Sequence, residues 1–198
     1  MLPVGPLGDK FWKLLVEIDM RIGEAVAAGG CPHCDGRLHR ADYPRKPRDG
    51  LLGLVEEAFA KRISYCCGRV GCRRRATPPS VRFLGRRIYV GVTVVVAVIL
   101  ARGAARASEI RRRTTIPART VARWQAWWQT DFPRSRLYRA ESARFMPPLS
   151  VAGLPATLVE RFAGAKDGML GALRRTLAFL APLTTASVTD GSRFVRLP

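Results

Sequence analysis

The sequence predicts a mainly α-helical protein with one small β region. Apolar residues recur at helical spacing near both ends of the 198-residue chain. All five cysteines lie between positions 31 and 72, in a stretch rich in turn-forming residues. A further pair of helical patterns, separated by a short break, follows that stretch. We therefore expect four successive regions, which are 1–30, 31–80, 81–132 and 133–198.

The first region is predicted to be an amphipathic helix over 9–28. Its apolar side chains repeat every three or four residues and so lie on one face of a helix. Gly29 and Gly30 then end the pattern. The expected buried stripe consists of Phe11, Leu15, Ile18, Ile22 and Val26.

The cysteines of the second region form two closely spaced turns. The first is CPHC at 31–34, and the second is a C-x4-C turn at 67–72 that contains two glycines. Short strands are expected near 37–43 and 61–66. Four thiolates from two such turns make a closed tetrahedral zinc site, which stabilises structure and leaves no coordination position for water. We predict a zinc ribbon over 31–80, and its structural Zn²⁺ ligands are Cys31, Cys34, Cys67 and Cys72.

The third zinc ligand has two candidates, Cys66 and Cys67. Consecutive strand residues point to opposite faces, so one of them reaches the metal, and spacing favours Cys67. His33 and His39 are reserve ligands. The alternatives to zinc are unrelated buried thiols or a redox C-x-x-C, although no βαβ pattern surrounds the cysteines.

An uncharged run of 14 residues, from Ile88 to Ala101, follows the ribbon. Its valines favour a strand by propensity, but the helical patterns after it favour a buried helix. A membrane span needs about 20 residues, so we expect no membrane partner.

The third region is predicted to contain a helix-turn-helix. Ala107–Arg113 is its first helix, 114–116 the turn, and 117–130 the second helix, opened by Pro117. Val121, Trp124 and Trp128 share one face and are expected in the core. Ala118, Arg119, Thr120 and Arg123 are expected to point outward, where this motif contacts the DNA major groove.

Positive charge is concentrated in the middle of the chain. Residues 62–144 hold nineteen arginines and three acids, a net charge of 19 − 3 = +16, whereas 1–61 are neutral. Such a surface is typical of a protein that binds nucleic-acid phosphates; a generally arginine-rich composition is the alternative. The phosphate-binding candidates are Arg73, Arg74, Arg75, Arg86, Arg87, Arg111, Arg112 and Arg113.

Four segments carry a resemblance to a known family, namely CPHC (31–34), CCGRVGCRRR (66–75), FLGRR (83–87) and TIPARTVARWQAWW (115–128). Together they resemble the N-terminal DNA-binding part of bacterial insertion-sequence transposases, over roughly residues 10–130. The resemblance implies zinc on the four cysteines and DNA on Arg119, Thr120 and Arg123. The catalytic domain of those transposases has no counterpart here, because the acids after residue 130 lie in helical or loop segments.

We therefore expect a DNA-binding protein that is not an enzyme, either transposon-associated or an accessory or orphan transposase-like protein. It is expected in the cytoplasm, at the nucleoid, since no signal-peptide pattern begins the chain. Alternatives are an RNA- or ribosome-binding protein and a zinc-stabilised scaffold for an acidic protein partner. Helices are also predicted near 155–163 and 169–180, and their apolar stripes either pack within the chain or form a homodimer.

Overall fold

The computed structural model describes residues 8–45, 57–84, 91–102, 116–164 and 167–184. These residues divide into two compact units. One unit, the ribbon unit, contains 8–45, 57–84 and 178–184. The other, the helical unit, contains 91–102, 116–164 and 167–177. Helices dominate and the strands have two or three residues each, which confirms a mainly α protein with a small β region.

The ribbon unit begins with helix α1, Asp9–Ala28, as the apolar stripe predicts. The helix ends at Gly29, whose N–H donates to the Ala25 carbonyl at 3.1 Å. Its side chains Phe11, Leu15 and Ile22 are buried. A side chain at Gly23 would place a Cβ 2.9 Å from Ile63 Cγ2. Glycine at this position therefore allows α1 to lie closely against the ribbon.

Five short strands and a one-turn helix follow α1 in this unit. The elements are β1 Leu38–Arg40, β2 Tyr43–Pro44, α2 Glu57–Ala60, β3 Lys61–Arg62, β4 Tyr65–Cys67 and β5 Arg75–Ala76. All pairings are antiparallel: β4 lies between β1 and β5, and β2 pairs with β3. The predicted strands near 37–43 and 61–66 are confirmed, but each is divided in two. At this division the Ser64 N–H donates to the Asp42 carboxylate at 3.2 Å instead of to a strand carbonyl.

A buried ion pair connects α1 to the segment after β5. The Asp19 carboxylate accepts from Arg82 Nε at 2.7 Å and from the Val81 N–H at 2.7 Å. It also accepts from the Ser80 hydroxyl. The other two nitrogens of the Arg82 guanidinium donate to the carbonyls of Phe59 and Lys61. Because Asp19 and Arg82 are both buried, the pair fixes the two segments together.

Helices make up most of the helical unit. They are α3 Gly91–Arg102, α4 Ala118–Thr130, α5 Arg136–Glu141, α6 Ala156–Arg161 and α7 Gly168–Leu180, with 3₁₀ turns at Ser142–Arg144 and Val151–Gly153. The last turn of α7 and the 3₁₀ turn Ala181–Thr184 belong to the ribbon unit. The two predicted C-terminal helices are confirmed. Most leucines of their apolar stripes are buried, namely Leu154 just before α6, Leu158, Leu173, Leu177 and Leu180, whereas Leu170 is 42% exposed and corrects the predicted stripe of α7.

The valine-rich segment forms α3, as predicted, and packs against α4. Its side chains from Val92 to Val98 are buried around the whole circumference of the helix. Burial on every side explains why valine is used here despite its preference for strands. No described helix has the length and apolar character that crossing a membrane requires.

Aromatic side chains complete the core of the helical unit. Trp128 at the end of α4 lies 4.8 Å from Phe132 between ring centroids, and Phe132 lies 5.2 Å from Tyr138 on α5. Ser135 caps the N-terminus of helix α5, and its hydroxyl accepts from the Tyr138 N–H at 3.2 Å. The aromatic contacts and this cap together set the turn between α4 and α5.

Candidate metal centre and arginine surface

Four cysteine sulfurs meet in the ribbon. The Sγ atoms of Cys31, Cys34, Cys67 and Cys72 all lie within 4.8 Å of one another. Cys31 and Cys72 are 3.8 Å apart, and Cys34 and Cys67 are 3.5 Å apart. A tetrahedral site with Zn–S bonds of about 2.3 Å has sulfurs separated by about 3.8 Å. The cysteines are not joined as disulfides, so the sulfur positions suit one tetrahedral metal ion.

The first cysteine turn is built by backbone hydrogen bonds. The N–H groups of Cys34 and Asp35 donate to the Cys31 carbonyl at 3.3 and 2.8 Å. Gly36 then returns the chain toward the sulfurs. A Cβ at Gly36 would lie 3.1 Å from Cys67 Sγ and 3.3 Å from Cys34 Sγ. A larger residue here would crowd both sulfurs, so glycine suits this position.

The second cysteine turn is also held by two successive backbone N–H groups that donate to one carbonyl. Cys67 ends β4, and the Arg69 N–H points at its sulfur at 3.4 Å. The N–H groups of Cys72 and Arg73 both donate to the Arg69 carbonyl, at 3.1 and 3.3 Å. Backbone N–H groups directed at sulfur stabilise thiolates, which are the form that binds zinc.

The structure decides between Cys66 and Cys67. Cys67 is buried in the sulfur cluster, as the spacing predicts. Cys66 lies on the other face of β4, where its thiol donates to the Arg73 carbonyl at 3.3 Å. His33 and His39 are exposed and stay outside the cluster, so among the described residues the candidate metal site is formed by cysteines alone.

The thiols of the sulfur cluster have pKa values that are shifted in opposite directions. A hydrogen bond from the Gly36 backbone lowers the pKa of Cys34 to about 7. The Arg69 N–H favours the Cys67 thiolate, but desolvation and hydrogen bonds with the neighbouring cysteines outweigh it and raise the pKa of Cys67 to about 12. Four adjacent thiolates repel one another, so a divalent cation is needed for all four to ionise. The donor set therefore fits a structural zinc, with no group left to activate water.

Four exposed arginines lie in the second turn or directly after it, the last of them on β5, and we call them the ribbon arginine cluster: Arg69, Arg73, Arg74 and Arg75. Arg69 donates to the Cys34 carbonyl at 3.2 Å, and Arg75 lies over the Tyr43 ring. None of the four forms an ion pair with a described carboxylate, whereas nearby Arg40 pairs with Asp42 at 2.8 Å. Their charge is therefore not neutralised within the described part of the chain.

Sequence reasoning assigned Arg73, Arg74 and Arg75 to nucleic acid but missed Arg69 and Val70. Val70 is 86% exposed at the tip of the turn. Both lie inside the C-x4-C spacing, where the two clustered cysteines leave the intervening residues on the outside of the turn. The C-x4-C spacing was therefore the sequence feature that could have identified Arg69 and Val70 as exposed.

The predicted recognition helix is α4, and most of the positions expected to be buried or exposed are confirmed. Val121, Trp124 and Trp128 are buried, and Ala118, Arg119 and Arg123 are exposed. Thr120 corrects the prediction, because it is 8% exposed and does not point outward. It precedes Trp124 by one helical turn, so it lies on the packed face. Its hydroxyl accepts from Arg123 at 3.4 Å.

The remaining nucleic-acid candidates lie outside the described residues. These are Arg86, Arg87, Arg111, Arg112 and Arg113, together with the predicted first helix of the helix-turn-helix at 107–113. Comparisons with protein-family models, curated proteins and solved structures found no match to this chain. The resemblance to transposase N-terminal regions rests on the sequence motifs alone.

Proposed function

We propose that this protein is a non-enzymatic DNA-binding protein, stabilised by zinc, that resembles the DNA-binding region of a transposase. The observation that carries the proposal is the ribbon arginine cluster: four exposed arginines without a described acidic partner, in or directly after a turn anchored by two of the four clustered cysteines. Guanidinium groups donate paired hydrogen bonds to phosphate oxygens. A turn fixed by metal presents them with little loss of conformational entropy on binding.

Helix α4 supports the same function in the helical unit. The helix contains no acidic residue. Its exposed positions follow helical spacing and form one continuous stripe, namely Arg119, Ala122, Arg123, Ala126, Gln129 and Thr130. Alanines between the polar side chains permit a close approach to a groove, while arginine and glutamine donate to base edges. In this proposal the ribbon arginine cluster binds phosphates and α4 reads bases.

A gel-shift titration tests the proposal. Zinc-loaded protein is titrated onto duplex DNA at several salt concentrations, in the wild type and in an Arg69→Ala/Arg74→Ala variant. The control is Arg136→Ala/Arg139→Ala, which removes two exposed arginines from α5. We expect salt-sensitive binding in the wild type and the control. In the cluster variant the log–log slope should fall by roughly 0.9 for each phosphate that the protein no longer neutralises.

The same titration separates the competing functions. Structured RNA that displaces the duplex at equal concentration would move the assignment to RNA. Absence of binding to either nucleic acid, in protein that retains its zinc, would contradict the proposal and favour an acidic protein partner.

A further inference from the structure

The tip of the second cysteine turn has a composition that the fold does not explain. Val70 is 86% exposed, and no other described large apolar side chain is as exposed. Exposed apolar residues that occur singly are ordinary on protein surfaces. Val70 differs because the exposed Arg69 precedes it and Arg73 and Arg74 follow within four residues.

The backbone around Val70 is narrow. Gly68 and Gly71 carry no side chain, and Gly71 has a φ of 87° with nothing within 4 Å of where its Cβ would be. Both ends of the turn are anchored by clustered cysteines, Cys67 and Cys72. The turn is therefore a thin, fixed projection with an apolar tip and a cationic base.

These dimensions and charges match the DNA minor groove. That groove is about 6 Å wide, too narrow for a helix, whereas a short side chain at the tip of a turn can enter it. Its negative potential is strongest at A·T tracts, where arginines insert. Its floor at A·T pairs lacks the guanine N2 amino group, which would otherwise oppose an apolar tip.

We infer that the Cys67–Cys72 turn inserts into the minor groove of A·T-rich duplex DNA. Val70 contacts the groove floor, and Arg69 and Arg73 bind the phosphates of the two groove walls. This inference rests on the proposed DNA-binding function and adds the groove and the base preference. Helix α4 is too wide for that groove, so the two elements read different grooves.

Inosine substitution tests the inference directly. Inosine removes the guanine N2 amino group from the minor groove and keeps the O6 and N7 acceptors of the major groove. The zinc-loaded full chain is titrated onto three duplexes of one length, built with A·T, G·C or I·C pairs in a central tract. We expect A·T and I·C duplexes to bind on the order of tenfold more tightly than the G·C duplex.

Variants of Val70 test whether the tip of the turn causes the preference between duplexes. Val70→Ser is expected to lose the preference for I·C over G·C, and Val70→Leu to keep it. The control is Met146→Ser, which changes another exposed apolar residue, 77% exposed, in the helical unit. Because Val70 is so exposed, the substitutions should leave zinc content unchanged, and metal analysis checks this.

The outcomes separate the inference from the function on which it rests. Wild-type protein that binds G·C and I·C duplexes equally overturns the minor-groove inference and leaves DNA binding intact. A preference that survives in Val70→Ser also overturns it. Absence of binding to all three duplexes overturns both.

Discussion

Asp35 and Arg73 occupy equivalent positions in the two cysteine turns. Each directly follows the second cysteine of its turn, and each has a left-handed backbone, with φ of 55° and 45°. Each donates its N–H to the carbonyl four residues earlier, at 2.8 and 3.3 Å. Aspartate tolerates this conformation, whereas arginine is disfavoured in it. A long cationic side chain at such a position is consistent with a role in binding a partner outside the chain.

The variant Arg73→Gly removes the arginine side chain and keeps the left-handed backbone conformation, so it tests the side chain alone. Glycine adopts a positive φ without strain, and this offsets its greater entropy in the unfolded chain. We expect the free energy of unfolding of the zinc-loaded protein to change by less than about 1 kcal/mol. Affinity for duplex DNA at low salt should fall severalfold, because the variant neutralises one phosphate fewer. Chemical denaturation and gel shift measure the two quantities.

The control for this prediction is Asp35→Gly. It changes a residue with the same backbone geometry as Arg73 and removes a negative charge instead of a positive one. It should leave DNA affinity unchanged or raise it slightly. If Arg73→Gly binds DNA with the wild-type affinity and salt dependence, Arg73 has no role in binding.

Cys66 and Cys67 provide a matched pair for the metal centre. Cys67→Ser removes a buried member of the sulfur cluster, and we expect the ribbon to lose tight zinc binding and unfold. Cys66→Ser removes a thiol that donates only to backbone carbonyls. It should retain one zinc per chain. Metal analysis after dialysis against a chelator measures the stoichiometry, and equal zinc loss in both variants would contradict the assignment.

The sequence predicted those parts of the fold whose determinants are local. The C-x2-C and C-x4-C spacings located the sulfur cluster, and the apolar period located α1 and α4. The Asp19–Arg82 pair was not foreseen, because its members are 63 residues apart and no local pattern joins them. Thr120 was misplaced for a related reason: helical periodicity gives the direction of a buried face, but its width depends on the neighbouring helices.

The Asp19–Arg82 pair leads to a stability prediction. Asp19→Ala leaves the buried Arg82 without its carboxylate, and we expect a loss of about 3–5 kcal/mol in the free energy of unfolding. The double variant Asp19→Ala/Arg82→Met should lose less than the single variant, since it leaves no unpaired buried charge. As a control, Glu141→Ala breaks the exposed pair with Arg144 and should cost less than about 1 kcal/mol. Denaturant titration of all three zinc-loaded variants checks the order.

The last prediction concerns helix α4 and its effect on which DNA sequences the protein prefers, in addition to its effect on affinity. Arg119→Lys/Arg123→Lys keeps both charges but loses the planar fork that recognises guanine. We expect this variant to bind duplex DNA with nearly the wild-type salt dependence and with weaker discrimination between sequences, measured by competition with random-sequence duplexes. Arg119→Ala/Arg123→Ala should reduce both the salt dependence and the discrimination. Arg136→Lys/Arg139→Lys, which changes two exposed arginines on α5, should alter neither. Unchanged discrimination in both arginine variants would show that α4 does not read bases.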